Sequence, residues 1–159
     1  MGQEIERKFL VNDKIREALA KVNSKYCSQT YLSSDSDKVV RVRILGEQGF
    51  ITIKSKVTGI SRHEFEYQIP IVDAQNMIDL FGVQVIEKTR FLIPIKNHTW
   101  EVDVFEGLNK GLIVAEIELD SEEEKFDLPD WVEKEVTGDV KYYNSNLQNH
   151  PYSSWPKTR

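Results

Sequence analysis

Glu4-Ile5-Glu6-Arg7-Lys8-Phe9-Leu10 opens the chain with charged and apolar residues in alternation. In an extended strand successive side chains point to opposite faces, so Glu4, Glu6 and Lys8 share one face, about 6.6 Å from one neighbour to the next. Two acids and a base point together, while Ile5 and Phe9 point the other way. The spacing predicts a strand with one packed face and one charged face.

The same device recurs along the chain. Val40-Arg41-Val42-Arg43-Ile44 puts two guanidinium groups on one face, and Ile51-Thr52-Ile53-Lys54 presents an ammonium. Glu64-Phe65-Glu66-Tyr67 presents two carboxylates and Lys88-Thr89-Arg90-Phe91 two cations. Trp100-Glu101-Val102-Asp103-Val104 and Ala115-Glu116-Ile117-Glu118-Leu119 present acids again. With the turn-like Gly, Asn, Asp and Ser clusters between them, these runs predict eight strands, over 3–11, 26–34, 38–46, 49–57, 62–71, 84–95, 98–107 and 111–120. Short connections favour antiparallel pairing. Eight strands suit a closed barrel whose interior holds side chains or one small ligand, so the expected class is mainly β, an eight-stranded closed antiparallel β-barrel with a few helices packed outside. The helices are expected from Asn12 and Asp13 to about Val22, from Asp73 through Phe81, as a short start at Ser121 to Lys125, and near Lys141 to Asn149.

A half-buried antiparallel sheet can turn a charged face to water, which is the alternative reading of any one of these strands. Their sorting argues against it. Like charges in adjacent same-face positions gain nothing on a solvated sheet, yet the pairs recur in strand after strand. Acids and bases gathered in one interior make chemical sense together: carboxylates suit hard cations such as Mg²⁺ or Mn²⁺, and Arg and Lys suit phosphate oxygens.

The chain has 159 residues, enough for one domain with both a core and a polar cavity, and a single domain over 1–159 is expected. A formal net charge of -5 argues against a general nucleic-acid or membrane-surface binder, so an anionic ligand must be held by local cations. No apolar stretch approaches the roughly 20 residues of a membrane span, and Met1 to Val11 lacks the apolar run of a signal peptide, which points to the cytoplasm. Cys27, the single cysteine, reads as packing. His63, His98 and His150 lack metal-site spacing, Asp35-Ser36-Asp37 reads as a hairpin turn, and Gly46, Gly49 and Gly59 are expected at turns. Trp100, Trp131 and Trp155 are expected to pack rather than to stack on a ligand ring.

Glu4-Ile5-Glu6-Arg7-Lys8 resembles the Glu-x-Glu-x-Lys signature of the CYTH, or triphosphate tunnel metalloenzyme, family, and the later paired positions follow that family's order from Glu4 to the Lys141-Tyr142 region. The resemblance, closest to short bacterial members, implies an eight-stranded antiparallel tunnel and metal-dependent action on triphosphates. By position it implies Glu4, Glu6, Asp103, Glu116 and Glu118 as ligands of one or two Mg²⁺ or Mn²⁺ ions. It implies Lys8, Arg41, Arg43, Lys54, Arg90 and Lys141 as phosphate-binding groups, with Lys88 joining the positive cluster. Glu64 and Glu66 match acids that orient the attacking water or assist a second ion, Tyr31 matches a tyrosine paired with Lys8 at the reaction centre, and Glu101 falls at the rim.

The function expected is hydrolysis of inorganic tripolyphosphate to pyrophosphate and phosphate, with a small-molecule triphosphate as the only ligand partner and a homodimer through outer strands compatible with the pattern. The alternatives are a class IV-type adenylate cyclase or a thiamine triphosphatase, which would need a ribose-positioning group or an aromatic face for the cationic ring. A non-catalytic polyphosphate or nucleotide sensor is of another class. Anion capture alone would be opposed by so many carboxylates.

Overall fold

Alternation along the chain becomes register across it. In the computed structural model, which describes residues 2–35 and 37–156, eight antiparallel strands close on themselves. They are β1 (Gly2–Val11), β2 (Ser24–Asp35), β3 (Lys38–Leu45), β4 (Gln48–Ser55), β5 (Ser61–Ile69), β6 (Ile86–Ile95), β7 (His98–Phe105) and β8 (Ile113–Glu118). The ring runs β5-β4-β3-β2-β6-β7-β8-β1, and β1 closes it by pairing also with β5. The expected Asp35–Asp37 turn is described only in part, with the Asp35 carboxylate accepting from the Asp37 amide; Ser36 lies outside the described residues.

β1 is shared between neighbours. Its first half pairs with β5, up to Ile5↔Ser61, and its second half pairs with β8 through Glu6↔Glu118 and Lys8↔Glu116. Beyond the reach of β5 a ninth strand, β9 (Val132–Glu135), takes the vacant edge through Phe9↔Glu135 and Val11↔Val132. Its Glu133-Lys134-Glu135 core shows no apolar alternation, which is why the sequence does not predict it. Pairing and the two bonds from Arg7 to the Glu135 carboxylate, 2.8 and 2.6 Å, hold it instead.

Among the described residues three α-helices accompany the barrel: α1 (Ile15–Leu19), α2 (Ile71–Phe81) and α3 (Asn144–Asn149). α1 is shorter than expected: the Asn12 side chain accepts from the Lys14 amide at 2.9 Å ahead of it, and past Leu19 the chain closes in tight turns, with Lys21 bonded to the Ala18 carbonyl and Val22 to that of Leu19. α2 starts directly after Pro70, two residues before the expected Asp73. Ser121 to Lys125 forms a turn, not a helix: the Glu124 carboxylate folds back onto the Asp120 amide at 2.6 Å and pairs with His98. Gly49 lies within β4 rather than at a turn, and a Cβ there would stand 2.8 Å from Cβ of Ala74, so glycine is what lets α2 lie against the wall.

The apolar phase of the strands faces outward. Ile5, Phe9, Trp100, Val102, Ala115 and Ile117 are buried under α1 and the 119–132 segment, in one cluster with Ile15, Leu119 and Trp131. Trp100 is fully buried and meets the rings of Phe9 and Trp131 edge-on at 5.6 and 5.3 Å. A second cluster lies within the inner phase itself. Leu10, Ile86, Phe105 and Val114 follow Lys8, Lys88, Asp103 and Glu116 by one pleat and pack against Leu147 of α3. The bore is therefore charged toward one end and apolar at the other, where α3 fills it.

Because the outer cluster holds the wall in register, Trp100→Ala should cost about 3–5 kcal/mol in chemical denaturation. A loss under about 1 kcal/mol would contradict this packing.

Candidate active site

The inner phase of every strand except the short β9 converges on one cavity of about 200 Å³. Glu4, Glu6 and Lys8 of β1, Tyr31 of β2, Arg41 and Arg43 of β3, and Lys54 of β4 line it. So do Glu64 and Glu66 of β5, Lys88 and Arg90 of β6, and Glu116 and Glu118 of β8. Glu101 of β7 lines it too, with a side chain 39% exposed, which fits the rim position expected for it. Register orders the charges along the axis. Lys88 follows the floor residue Ile86 on β6 with Arg90 beyond it, Lys8 follows Leu10 on β1 with Glu6 and Glu4 beyond it, and Lys8, Glu116 and Glu101 share one cross-strand row.

Most of the buried charges meet an opposite one. The Lys54 ammonium bridges both Glu4 oxygens at 3.2 Å and Glu64 at 3.4 Å, and Arg62 also reaches one of the Glu4 oxygens, at 3.3 Å. One Glu66 oxygen gathers Thr52 at 2.7 Å, Arg43 at 3.2 Å and Arg41 at 3.3 Å. Burial pushes the Glu66 carboxyl up, but Thr52 and the two guanidinium groups outweigh it and hold it below the usual range.

The acids nearest Lys8 are paired with each other. Burial, then the charges of Glu116 and Glu4, push the Glu6 carboxyl well above its ordinary value and favour its protonated form beside Glu116. Burial also works against ionised Glu116, but the Lys8 ammonium and the bond with Glu6 win and hold it down to about 2. Glu64 is raised by burial and by Glu4, to which it is hydrogen-bonded, and Glu118 by burial and by Glu4, Glu64 and Glu101. Among the described residues no three His, Cys, Asp or Glu side chains form a ready-made metal-binding group. What stands there is a cluster of acids that burial and mutual repulsion push toward holding protons. Two buried carboxylates joined by one proton still lack positive charge, and a divalent cation is what such a pair accepts in the proton's place.

The cations are also short of partners. Arg41 Nε and Arg43 Nε are buried without a hydrogen-bond acceptor. Burial and then repulsion from Arg41 and Arg90 lower the Arg43 guanidinium to about 10. Unpaired donors crowded by like charges are what an oligoanion relieves.

Two of the expected residues are placed differently. Asp103 is not among the residues lining the cavity: Arg90 takes its two oxygens at 2.8 and 2.9 Å and Lys88 adds a bond of 2.8 Å, so it holds two of the cavity's cations. Lys141 is exposed outside the bore, its ammonium 4.5 Å from the ring centre of Trp155. Instead of Lys141, the C-terminal segment contributes Thr137, Gly138, Tyr143, Asn144 and Ser145 to the lining. Arg62 joins them from β5. These sit on turns, a short helix and a strand end, where alternation gives no signal. Inward Thr52, between Phe50 and Lys54 on β4, was legible as a phase and not as a contact.

Cys27 and Trp131 are buried as expected, Trp155 packs edge-on against Tyr142 and Tyr152, and none of the three histidines lines the cavity. No helix among the described residues is long and apolar enough to cross a membrane.

The chain is similar to known proteins over nearly its whole length. An inorganic triphosphatase of Acetivibrio thermocellus is 46% identical over 156 residues, covering 98% of this chain and 99% of that protein. An inorganic triphosphatase of Nitrosomonas europaea is 35% identical over 148 residues, covering 91% and 95%. Among solved structures, the crystal structure of the inorganic triphosphatase NE1496 superposes with a TM-score of 0.64 at 31% identity, covering 99% of each chain. The CYTH domain pattern matches residues 2–147. With the paired charges brought into one closed barrel and the pattern running through β1 to α3, the chain belongs to the CYTH family.

Proposed function

We propose that this chain, acting as one CYTH unit in the cytoplasm, is a divalent-metal-dependent inorganic triphosphatase that converts tripolyphosphate to pyrophosphate and phosphate. The observation that carries the reading is the gathering of charge in one closed barrel: guanidinium donors without acceptors line the same cavity as clustered carboxyls that burial and mutual repulsion push above their ordinary range. Anion capture alone would not retain those acids, which oppose it. Two relatives that cover this chain almost completely bear the name inorganic triphosphatase, which agrees with this assignment.

Lys8, Arg41, Arg43, Lys54, Lys88 and Arg90 bind phosphate oxygens in this reading, and Tyr31 stands beside Lys8 and Arg41 at the reacting end. Asp103 acts from behind, setting the directions of Lys88 and Arg90. Glu4, Glu6, Glu116 and Glu118 would hold Mg²⁺ or Mn²⁺, which lowers the repulsion a water meets at a phosphorus surrounded by anionic oxygens. Glu64, kept protonatable by burial and by Glu4, can exchange a proton with the attacking water, while ionised Glu66 fixes both guanidinium groups. A homodimer through the outer wall stays part of the reading, carried by the cross-strand neighbours Ile53 and Phe65, which are 42% and 43% exposed.

Phosphate release from tripolyphosphate, ATP and thiamine triphosphate, with and without Mg²⁺ or Mn²⁺, should show metal-dependent turnover strongest with tripolyphosphate. Tight binding without turnover under any metal would favour the sensor instead. Glu6→Gln should lower turnover about a hundredfold, as the loss of roughly 3 kcal/mol of transition-state stabilisation does, and raise the metal requirement. Arg41→Ala should act chiefly on KM, and unchanged kinetics in both variants would contradict these roles. Arg43→Met should abolish most activity while leaving the thermal midpoint equal to or above that of the unsubstituted chain, because Arg41 and Thr52 still hold Glu66 while a buried cation repelled by Arg41 and Arg90, its Nε without an acceptor, is removed. A large fall in the midpoint would mean that Arg43 supports the fold.

A further inference from the structure

We infer that Asn144 is a positioning residue for the phosphate end of the site, acting through Lys88; the inference rests on the triphosphatase reading above. Lys88 is 1% exposed yet lines the cavity, and its ammonium has three hydrogens to place. One goes to Asp103 at 2.8 Å and one to the Asn144 side-chain oxygen at 3.0 Å. Those two acceptors fix the ammonium and leave the remaining hydrogen for a phosphate oxygen. With Asp103 alone, a flexible four-carbon stem beside a buried carboxylate would collapse onto it, and the cation would be spent on its own wall.

The orientation of the Asn144 amide follows from its neighbours. Its oxygen also accepts from Gln29 Nε2 at 3.2 Å, so two donors face it, and the flipped amide would turn NH₂ hydrogens toward an ammonium. Gln29 is itself fully buried, its own oxygen turned to the Cys27 thiol. Asn144 is thus held from both sides.

The helix that carries it is docked by contacts that do not involve Lys88. Four residues on, the Gln148 oxygen accepts from the Tyr31 amide at 2.8 Å and from the Thr30 hydroxyl at 3.3 Å, beside the irregularity of β2 between Tyr31 and Ser33. Leu147 fills the apolar floor. Just before α3, the Tyr142 carbonyl accepts from the Lys8 ammonium at 3.2 Å, so this one segment touches two phosphate-facing lysines. Docking and positioning can therefore be separated by mutation.

The test is a double-mutant cycle on tripolyphosphate affinity, read as KM with Mg²⁺ present or by calorimetry where turnover is slow, with thermal midpoints measured alongside. Asn144→Ala should weaken affinity about tenfold, the equivalent of 1.4 kcal/mol, in the otherwise unsubstituted chain, and less than about twofold in the Lys88→Ala background. Gln148→Ala should lower the midpoint more than Asn144→Ala does while changing affinity less than about threefold. Equal factors for Asn144→Ala with and without Lys88, or a Gln148→Ala affinity loss as large as that of Asn144→Ala, would overturn the role. An unsubstituted chain that neither binds nor cleaves tripolyphosphate would overturn the triphosphatase reading first, and this role with it.

Discussion

A charge taken out of water must find an opposite charge or a strong hydrogen bond within reach, or the fold that buries it will not persist. Everything in this barrel follows from how that demand is met. Strand register sets cations against acids across the wall: Lys54 beside Glu4 and Glu64, Arg90 and Lys88 around Asp103, Arg41 and Arg43 on Glu66, Lys8 by Glu116. The compensation is incomplete at two kinds of place. Acids crowd one another around Glu6, Glu116 and Glu64, so burial and repulsion raise Glu6 and Glu64, and cations outnumber acids around Arg41 and Arg43, so donors go unused. A metal ion and an oligoanion answer those two deficits, and each lowers the cost of the other.

The outer surface of the same strands supplies the rigidity that such a site requires. Since the period of a strand is two, a slip of one residue would bring Phe9 and Trp100 inside and turn Lys8 and Glu101 out. The aromatic cluster around Trp100 thereby fixes the charge geometry it never touches. At the far end α3 and the floor of Leu10, Ile86, Phe105 and Val114 make a deep cup of the barrel, with the lysines at its base.

Much of this was legible in the residues. Alternation located all eight barrel strands and the inward phase of every charged pair, because one rule, a period of two, governs both. The Glu-x-Glu-x-Lys stretch then tied the ordered pairs to a family. What escaped was the part of the molecule that alternation does not govern. β9 is held by edge pairing and the Arg7–Glu135 bonds, not by an apolar pattern. In the Ser121–Lys125 stretch, whose acids are good for a helix start, Glu124 turns instead to the Asp120 amide and His98, and Glu122 accepts from the Ser61 hydroxyl. Asp103 had the phase and chemistry of a metal ligand, but its cross-strand partner is Arg90, and only register shows that. Lys141 matched a position in the sequence order, yet its ammonium settled on Trp155 while Tyr143 and Asn144 faced the bore.

The central claim is that metal ion and oligoanion are bound together by complementary deficits in one buried site. The most direct measurement is thermal unfolding with Mg²⁺ and a tripolyphosphate whose bridging oxygens are replaced by methylene groups, added singly and jointly. The account predicts small shifts from either alone and a joint shift larger than their sum, approaching the stabilisation of about 2.7 kcal/mol expected for a ligand at a hundred times its Kd. Additive shifts, or the same shift from sodium sulfate at equal ionic strength, would contradict it.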